Sequence, residues 1–221
     1  MSVHQGDQFP DVPLPPPGTP MWHVREAKLS KDRWRCRTIG DHSFADSSVV
    51  DGPIDTGNSF VYGYSDVDTS GHSILNINPA LLPGTPPIWF VVLPERKQPS
   101  PAISLVAFIT EDHAPGKVIS DPEFFSMAVD TTQQVGAIRW WIETGIVDQI
   151  FVAEQWRRKH LGRALLASAQ CYQVHNGWTP RLSSNGRRTA LGQQYAEASL
   201  FPDRFAPLEE LSPPMDPSSR E

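Results

Sequence analysis

The chain has 221 residues, of which 39% are hydrophobic and 22 are proline, and it carries a net charge of −6. That length fits one domain with extensions, and no apolar run approaches the roughly 18 residues of a membrane-spanning helix. The first residues lack the basic start and apolar core of a secretory signal. Cys36 and Cys171, distant from each other and from any Cys/His set, read as free thiols of a reducing, cytoplasmic compartment rather than as a disulfide or zinc ligands.

The prolines gather at the ends, in Pro10 to Pro20 and Pro202 to Pro217. Proline lacks the backbone donor that helix and sheet interiors need, so residues 1–20 and 203–221 are expected as Pro-rich tails around a domain over 21–202. Between 21 and 80 the pattern predicts short strands at Trp34–Ile39, Ser59–Tyr64 and Ser73–Ile77, separated by Gly, Asp and Ser turns, with no long helix. In the second of these, alternation puts Phe60, Tyr62 and Tyr64 on one face and Val61 on the other.

From residue 88 the pattern sharpens. Apolar strands are expected at Ile88–Leu93 and Ile103–Ile109, then a short helix or lid over Asp121–Val129, then a strand at Val135–Ile142. Glu143-Thr144-Gly145 makes a tight turn, and Ile146–Val152 returns antiparallel. Trp140 and Trp141 fall on opposite faces of their strand, one for the core and one free to wall a pocket. A helix from Arg158 to Val174 carries the stripe Leu161, Leu165, Ala169 and Tyr172. Asn176-Gly177 closes it, with Pro180 just beyond. A short strand at Arg181–Ser184 and a helix over Thr189–Leu200, with Leu191, Tyr195 and Ala198 along one side, complete the order. Antiparallel strands followed by strand–helix–strand–helix predict an α/β domain: a mixed, mostly antiparallel sheet flanked by helices, with an irregular β-rich N-terminal part.

Charge is uneven. Between Glu154 and Arg188 stand seven Lys/Arg and one acid, so this stretch carries +6 and the remainder −12. Cations at a helix start oppose the macrodipole and make sense there if an anion is bound. Unpaired N–H groups of the first helical turn and a glycine that admits close approach supply the rest of such a site. A compact basic locus suits a small polyanion and argues against nucleic acid, which needs an extended basic face. The acidic remainder favours a cationic substrate through steering.

The same residues carry a family resemblance. The run from Ile150 to Leu166 resembles the acetyl-CoA signature of the GNAT (Gcn5-related) N-acetyltransferases, L-x-V-x-P-x-x-R-(small)-x-G-I-G-x-x-L-L. Ile150 and Val152 stand at the two apolar strand positions, Arg157 at the arginine, Leu161 at the apolar position, Gly162 at the second glycine, and Leu165-Leu166 on the helix. Glu154 replaces the proline, Arg158 the small residue and His160 the first glycine. The resemblance implies a GNAT fold whose CoA-binding core covers about 135–201. In that family the signature strand splays from the next strand and acetyl-CoA lies in the gap. The family usually places two helices between its first two strands, and this chain shows none there.

The activity implied is transfer of an acetyl group from acetyl-CoA, as cosubstrate, to a primary amine. The resemblance assigns the pyrophosphate to the loop Arg157, Arg158, Lys159, His160, Leu161, Gly162, Arg163 and Ala164. The pantetheine and thioester fall to the backbone of Ile150, Phe151 and Val152. Tyr195, in the helix after the CoA helix, takes the position of the acid that meets the leaving thiolate. The family's usual upstream asparagine is replaced by Arg188. Asp148, placed by alternation on the face of Ile150 and Val152, and Glu143 at the preceding turn are candidate bases. The alternative reading is a catalytically inactive GNAT-fold protein that holds CoA or serves as a scaffold. Neither reading gives the acceptor or the oligomeric state.

Overall fold

The computed structural model describes residues 9–95 and 101–213. In chain order the elements are β1 (Met21–Ser30), β2 (Arg33–Gly40), β3 (Val49–Asp51), β4 (Phe60–Val67), β5 (Ser73–Ile77), β6 (Trp89–Glu95), β7 (Ala102–Phe108), β8 (Lys117–Ser120), α1 (Asp121–Phe125), β9 (Gln134–Trp141), β10 (Ile146–Val152), α2 (Leu161–His175), β11 (Ser183–Ser184), β12 (Arg187–Arg188), α3 (Ala190–Glu197) and β13 (Glu210–Leu211). Eleven strands form one sheet in the order β11-β10-β9-β7-β6-β8-β5-β4-β2-β1-β3, and β12 and β13 form a separate pair. Seven of the ten pairings in the large sheet are antiparallel. The expected fold class is thus observed, with the β-rich N-terminal part built into the same sheet rather than set beside it.

The sheet wraps around α2. Gln173 on that helix accepts the Trp140 indole N–H of β9 at 2.7 Å. Two residues on, His175 bonds the Trp34 carbonyl of β2 at 2.7 Å and the Ser73 hydroxyl of β5 at 3.1 Å. In a flat sheet β9 and β2, six steps apart in strand order, would lie about 29 Å from each other. They meet one helical turn only because the sheet curls. Eleven of the fifteen residues of α2 are buried as a result, including Ser168, Gln170, Gln173 and His175 beside the predicted apolar stripe. Leu161, Leu165, Ala169 and Tyr172 pack into the main core with Leu105, Ile138 and Trp140. The outer face of the sheet carries a smaller core of Trp89, Val91, Phe108 and Ile119.

Two sequence expectations are corrected by local geometry. A register shift between Thr38 and Ile39 in the β2–β4 pairing turns Tyr64 away from Phe60 and Tyr62 and puts it with Val61, since one extra residue reverses the faces beyond it. The helix begins at Leu161, not Arg158, because Arg158 and His160 hold φ of 62° and 56°, outside helical space. The Pro-rich ends pack where they are described: Phe9 meets Tyr64 edge-on, Arg204 is buried, and β13 pairs with β12. The parts of the expected tails at 1–8 and 214–221 lie outside the described residues. β1 escaped the sequence reading because Met21 to Val24 are all buried, which erases the period-two signal.

Both cysteines are free and buried. Burial pushes the thiols up, Cys36 to about 12 and Cys171 to about 11. Among the described residues no helix is long and apolar enough to cross a membrane.

Candidate active site

β10 pairs with β9 along its length on one side. On the other, β11 joins it in parallel only through Ile146–Ser183 and Val147–Ser184. Beyond Val147 no strand pairs with β10 on that side among the described residues, and the two chains part. The resulting cleft has a volume of about 1020 Å³, its open mouth included. Val147 to Ile150 form one wall and Ser183 to Asn185 the other. Leu166, Arg188, Tyr195 and Arg204 line it as well.

At the far end of β10 the chain makes a single 3₁₀ turn, Glu154–Trp156, and then the basic loop. Thr85 donates its hydroxyl to the Lys159 carbonyl at 2.7 Å and ties the loop to the neighbouring turn. His160 precedes α2 in left-handed conformation (φ 56°, ψ 11°) with no side-chain cap, and the first helical bond runs from the Ala164 N–H to the His160 carbonyl at 3.0 Å. The N–H groups of Leu161, Gly162 and Arg163 are left for an external acceptor. Two of the three departures from the family pattern, Arg158 and His160, hold positive φ, the second at the position where that pattern has a glycine. Left-handed backbone costs a residue with a Cβ about 1–2 kcal/mol. Such alternation of backbone handedness turns successive N–H groups into a concave anion site.

The cations fit the same purpose. Arg157 Nε donates to the Val152 carbonyl at 3.3 Å, Arg163 Nη1 to the Leu81 carbonyl at 3.3 Å, and the Lys159 ammonium sits 4.3 Å over the Trp156 ring. None of Arg157, Arg158, Lys159 and Arg163 has a carboxylate partner among the described residues, and the first turn of α2 holds no acid. A Cβ placed on Gly162 would meet only the Tyr195 ring, at 4.0 Å. Packing does not require this glycine. The backbone there stays open to close approach.

Tyr195 faces the start of α2 and lines the cleft. Its ring packs edge-on against Phe205 at 5.9 Å. Burial pushes its hydroxyl up to about 12, with the Arg163 charge pulling weakly the other way.

The candidate bases fare differently. The β9–β10 register shifts between Val147 and Gln149, so Asp148 sits in a bulge and does not share a face with Ile150 and Val152. Val147 takes the core side with them instead. Asp148 receives Arg139 in a bidentate pair, Nε at 3.0 Å and Nη2 at 2.6 Å, and the same guanidinium reaches Glu95 at 3.4 Å. Glu143 is exposed at the hairpin tip, at the opposite end of β10 from the basic loop. Trp140 is core at 0% exposure, and Trp141 lies against Arg139 instead of walling the cleft.

Two buried arginines stand at the cleft, Arg188, which the sequence reading noted only as the replacement of an asparagine, and Arg204, which it did not name. Arg188 donates to the Asn185 and Ala206 carbonyls, each at 2.9 Å, and to Gln193 Oε1 at 2.9 Å, closing the turn between β11 and α3. Arg204, 4% exposed, donates to Gln170 Oε1 at 3.2 Å and Asp46 Oδ1 at 3.3 Å. Asp46 also receives Arg181 at 2.7 Å. Burial works against the Asp46 charge, but the Met21 N–H and the two arginines hold its carboxyl below the usual range. The available signal for Arg204 was its setting, Phe201-Pro202-Asp203-Arg204-Phe205, an arginine between aromatics in a stretch otherwise read as tail.

Residues 102–191, from β7 into α3, match the family described as the acetyltransferase (GNAT) domain. No curated protein and no solved structure matches the chain. The matched span contains the parting strands, the basic loop, Gly162 and α2, and it is this part of the chain that is similar to an acyl-transfer domain.

Proposed function

We propose that the protein is an N-acetyltransferase that moves an acetyl group from acetyl-CoA to a primary amine by direct attack on the thioester. One observation carries this reading: β10 and β11 separate after Val147, and the helix that follows β10 starts with three uncapped N–H groups amid four cations without carboxylate partners among the described residues. The N–H groups of Leu161 to Arg163 would hold the pyrophosphate, with Arg157, Arg158, Lys159, His160 and Arg163 around it and Ala164 closing the turn. Backbone groups of Ile150, Phe151 and Val152 would bond the pantetheine and polarise the carbonyl.

In the reaction a neutral amine nitrogen attacks the thioester carbon, the C–S bond breaks, and the amine proton leaves to water. Tyr195 acts as a hydrogen-bond donor to the developing thiolate. A thiol near pKa ~8.5 does not take a full proton from a phenol at about 12, so water supplies the last proton. Asp148 is engaged by Arg139 and Glu143 is remote, which leaves a water chain as the outlet for the amine proton. The buried free thiols favour a cytoplasmic setting.

The test is thermal unfolding with and without acetyl-CoA, on the wild type and Gly162→Trp, followed by thiol release with a panel of amines. At about 100 times its dissociation constant the ligand stabilises by roughly 2.7 kcal/mol, and the variant loses that shift. No shift in the wild type would overturn the reading; binding with no turnover on any amine would make the protein a CoA-holding scaffold.

A further inference from the structure

Behind the cleft lies a second cavity, of about 620 Å³ with its opening included. Leu166, Tyr195 and Arg204 line both spaces, so an occupant of the inner cavity touches the wall at which the proposed acyl transfer would occur. The inner walls come largely from outside the matched domain: Met21 of β1, Thr38 of β2, Tyr62 of β4, and Leu200 and Phe201 after α3.

The chemistry of these walls is specific. They hold two guanidinium groups, Arg163 and Arg204, and no Asp or Glu. An ammonium group placed there would face like charge with no carboxylate in the wall. Arg204 is nearly fully buried, yet its Nε–H has no partner, and a buried donor left unsatisfied costs about 1–3 kcal/mol. Its counter-ion Asp46 also receives Arg181, which pairs in turn with Asp203 at 2.7 Å, while Arg163 bonds only a backbone carbonyl. The wall thus offers an open buried donor on Arg204 and a cation, Arg163, without a carboxylate partner among the described residues, beside an apolar chamber. We infer that this cavity receives a carboxylate on an apolar stem, held by Arg204, with the stem among Met21, Tyr62, Leu81 and Phe201.

The carboxylate has two sources in this chemistry: an acceptor amine that is itself an apolar amino acid, or an acyl group with a terminal carboxylate. The first places the amine of the acceptor toward Tyr195; the second extends the acyl chain past it. The inference depends on the acetyltransferase reading only for what happens in the adjacent cleft, and not for binding in the cavity.

The experiment measures Tm of the full chain with leucine, with 3-methylbutylamine (leucine without its carboxylate), and with succinyl-CoA against acetyl-CoA. The proteins are the wild type, Arg204→Met and Ala167→Phe. Ala167 lines the inner cavity but not the cleft, and Phe there fills the space while leaving Asp46 and Arg204 themselves unaltered. Leucine at about ten times its dissociation constant raises Tm by about 3–5 °C, 3-methylbutylamine does not, and both variants lose the effect. If the carboxylate belongs to the donor, succinyl-CoA instead outperforms acetyl-CoA, and Ala167→Phe removes the difference. An equal response to leucine and 3-methylbutylamine, a leucine shift that persists in Ala167→Phe, or no response to either carboxylate overturns the inference. The leucine arms are read without CoA, so failure of the CoA site and failure of this cavity are separate results.

Discussion

The Tyr195 ring stands 4.0 Å from the point that a Cβ on Gly162 would occupy. One contact thereby joins the residue proposed to meet the thiolate to the residue that keeps the phosphate approach open. It also makes glycine at 162 a poor choice for the helix alone, since Gly in a helix costs about 1 kcal/mol relative to Ala.

Gly162→Ala should therefore have effects of opposite sign. Stability in urea rises by about 0.5–1 kcal/mol, because the added methyl meets nothing closer than that ring. Acetyl-CoA affinity, followed by calorimetry, falls about tenfold or more as the methyl enters the space over the backbone. A parallel loss of both would mean that the glycine serves packing.

His160→Gly relieves left-handed backbone at the start of α2. Part of the gain is offset by the greater freedom of glycine in the unfolded chain, so the net increase is about 0.5–1 kcal/mol. His160→Val, with a branched Cβ at φ 56°, should lose more than about 1 kcal/mol. Paired urea unfolding curves check both signs.

Tyr195→Phe and Asp148→Asn separate the two candidate roles. The first should lower kcat about 10- to 100-fold with little change in acetyl-CoA affinity, because it removes one donor from the leaving group. The second breaks the bidentate pair with Arg139 and should lower stability by about 1–2 kcal/mol while kcat holds within about twofold under folded conditions. A collapse of kcat in folded Asp148→Asn would restore Asp148 as the base.

The pH dependence follows from two buried histidines. Burial pushes His175 down to about 4, and burial, with help from the Arg204 charge, pushes His23 down to about 3. In each case the unfolded form binds the proton first. Their contribution to stability is complete above about pH 6.5 and is lost as pH falls from there toward 4 for His175 and 3 for His23. Each site adds a slope of up to about 1.4 kcal/mol per pH unit in that window. His175→Asn lowers stability at neutral pH but flattens the slope by one site's worth, which urea titrations between pH 7 and 4.5 would show.

The sequence was most legible where local signals agree. Ile146–Val152 and Ser73–Ile77 are rich in apolar residues, follow turn residues, and are strands over those same residues. The basic loop was legible as a strand–helix junction because charge and glycine coincide there. The inner cavity was not, because Met21, Thr38, Tyr62 and Arg204 come from distant parts of the chain and meet only after the sheet has curled. Bulges defeated the facing assigned to Tyr64 and Asp148, since a single inserted residue carries no distinctive composition.

The curl of the sheet around α2 bears on how the molecule comes into being. Val174 approaches Cys36, and Cys171 approaches Thr38, across separations of 138 and 133 residues. A nascent chain that has completed β1 to β5 still lacks the helix those strands enclose. Topologies rich in such distant contacts fold slowly and leave strand edges uncovered meanwhile. Nor does the 102–191 span form a self-sufficient unit: released from β2, β4 and β5, it would bare the flank of α2 that carries Cys171, Val174 and His175. The 102–191 span and the strands before it are thus one cooperative body, assembled only when α2 arrives.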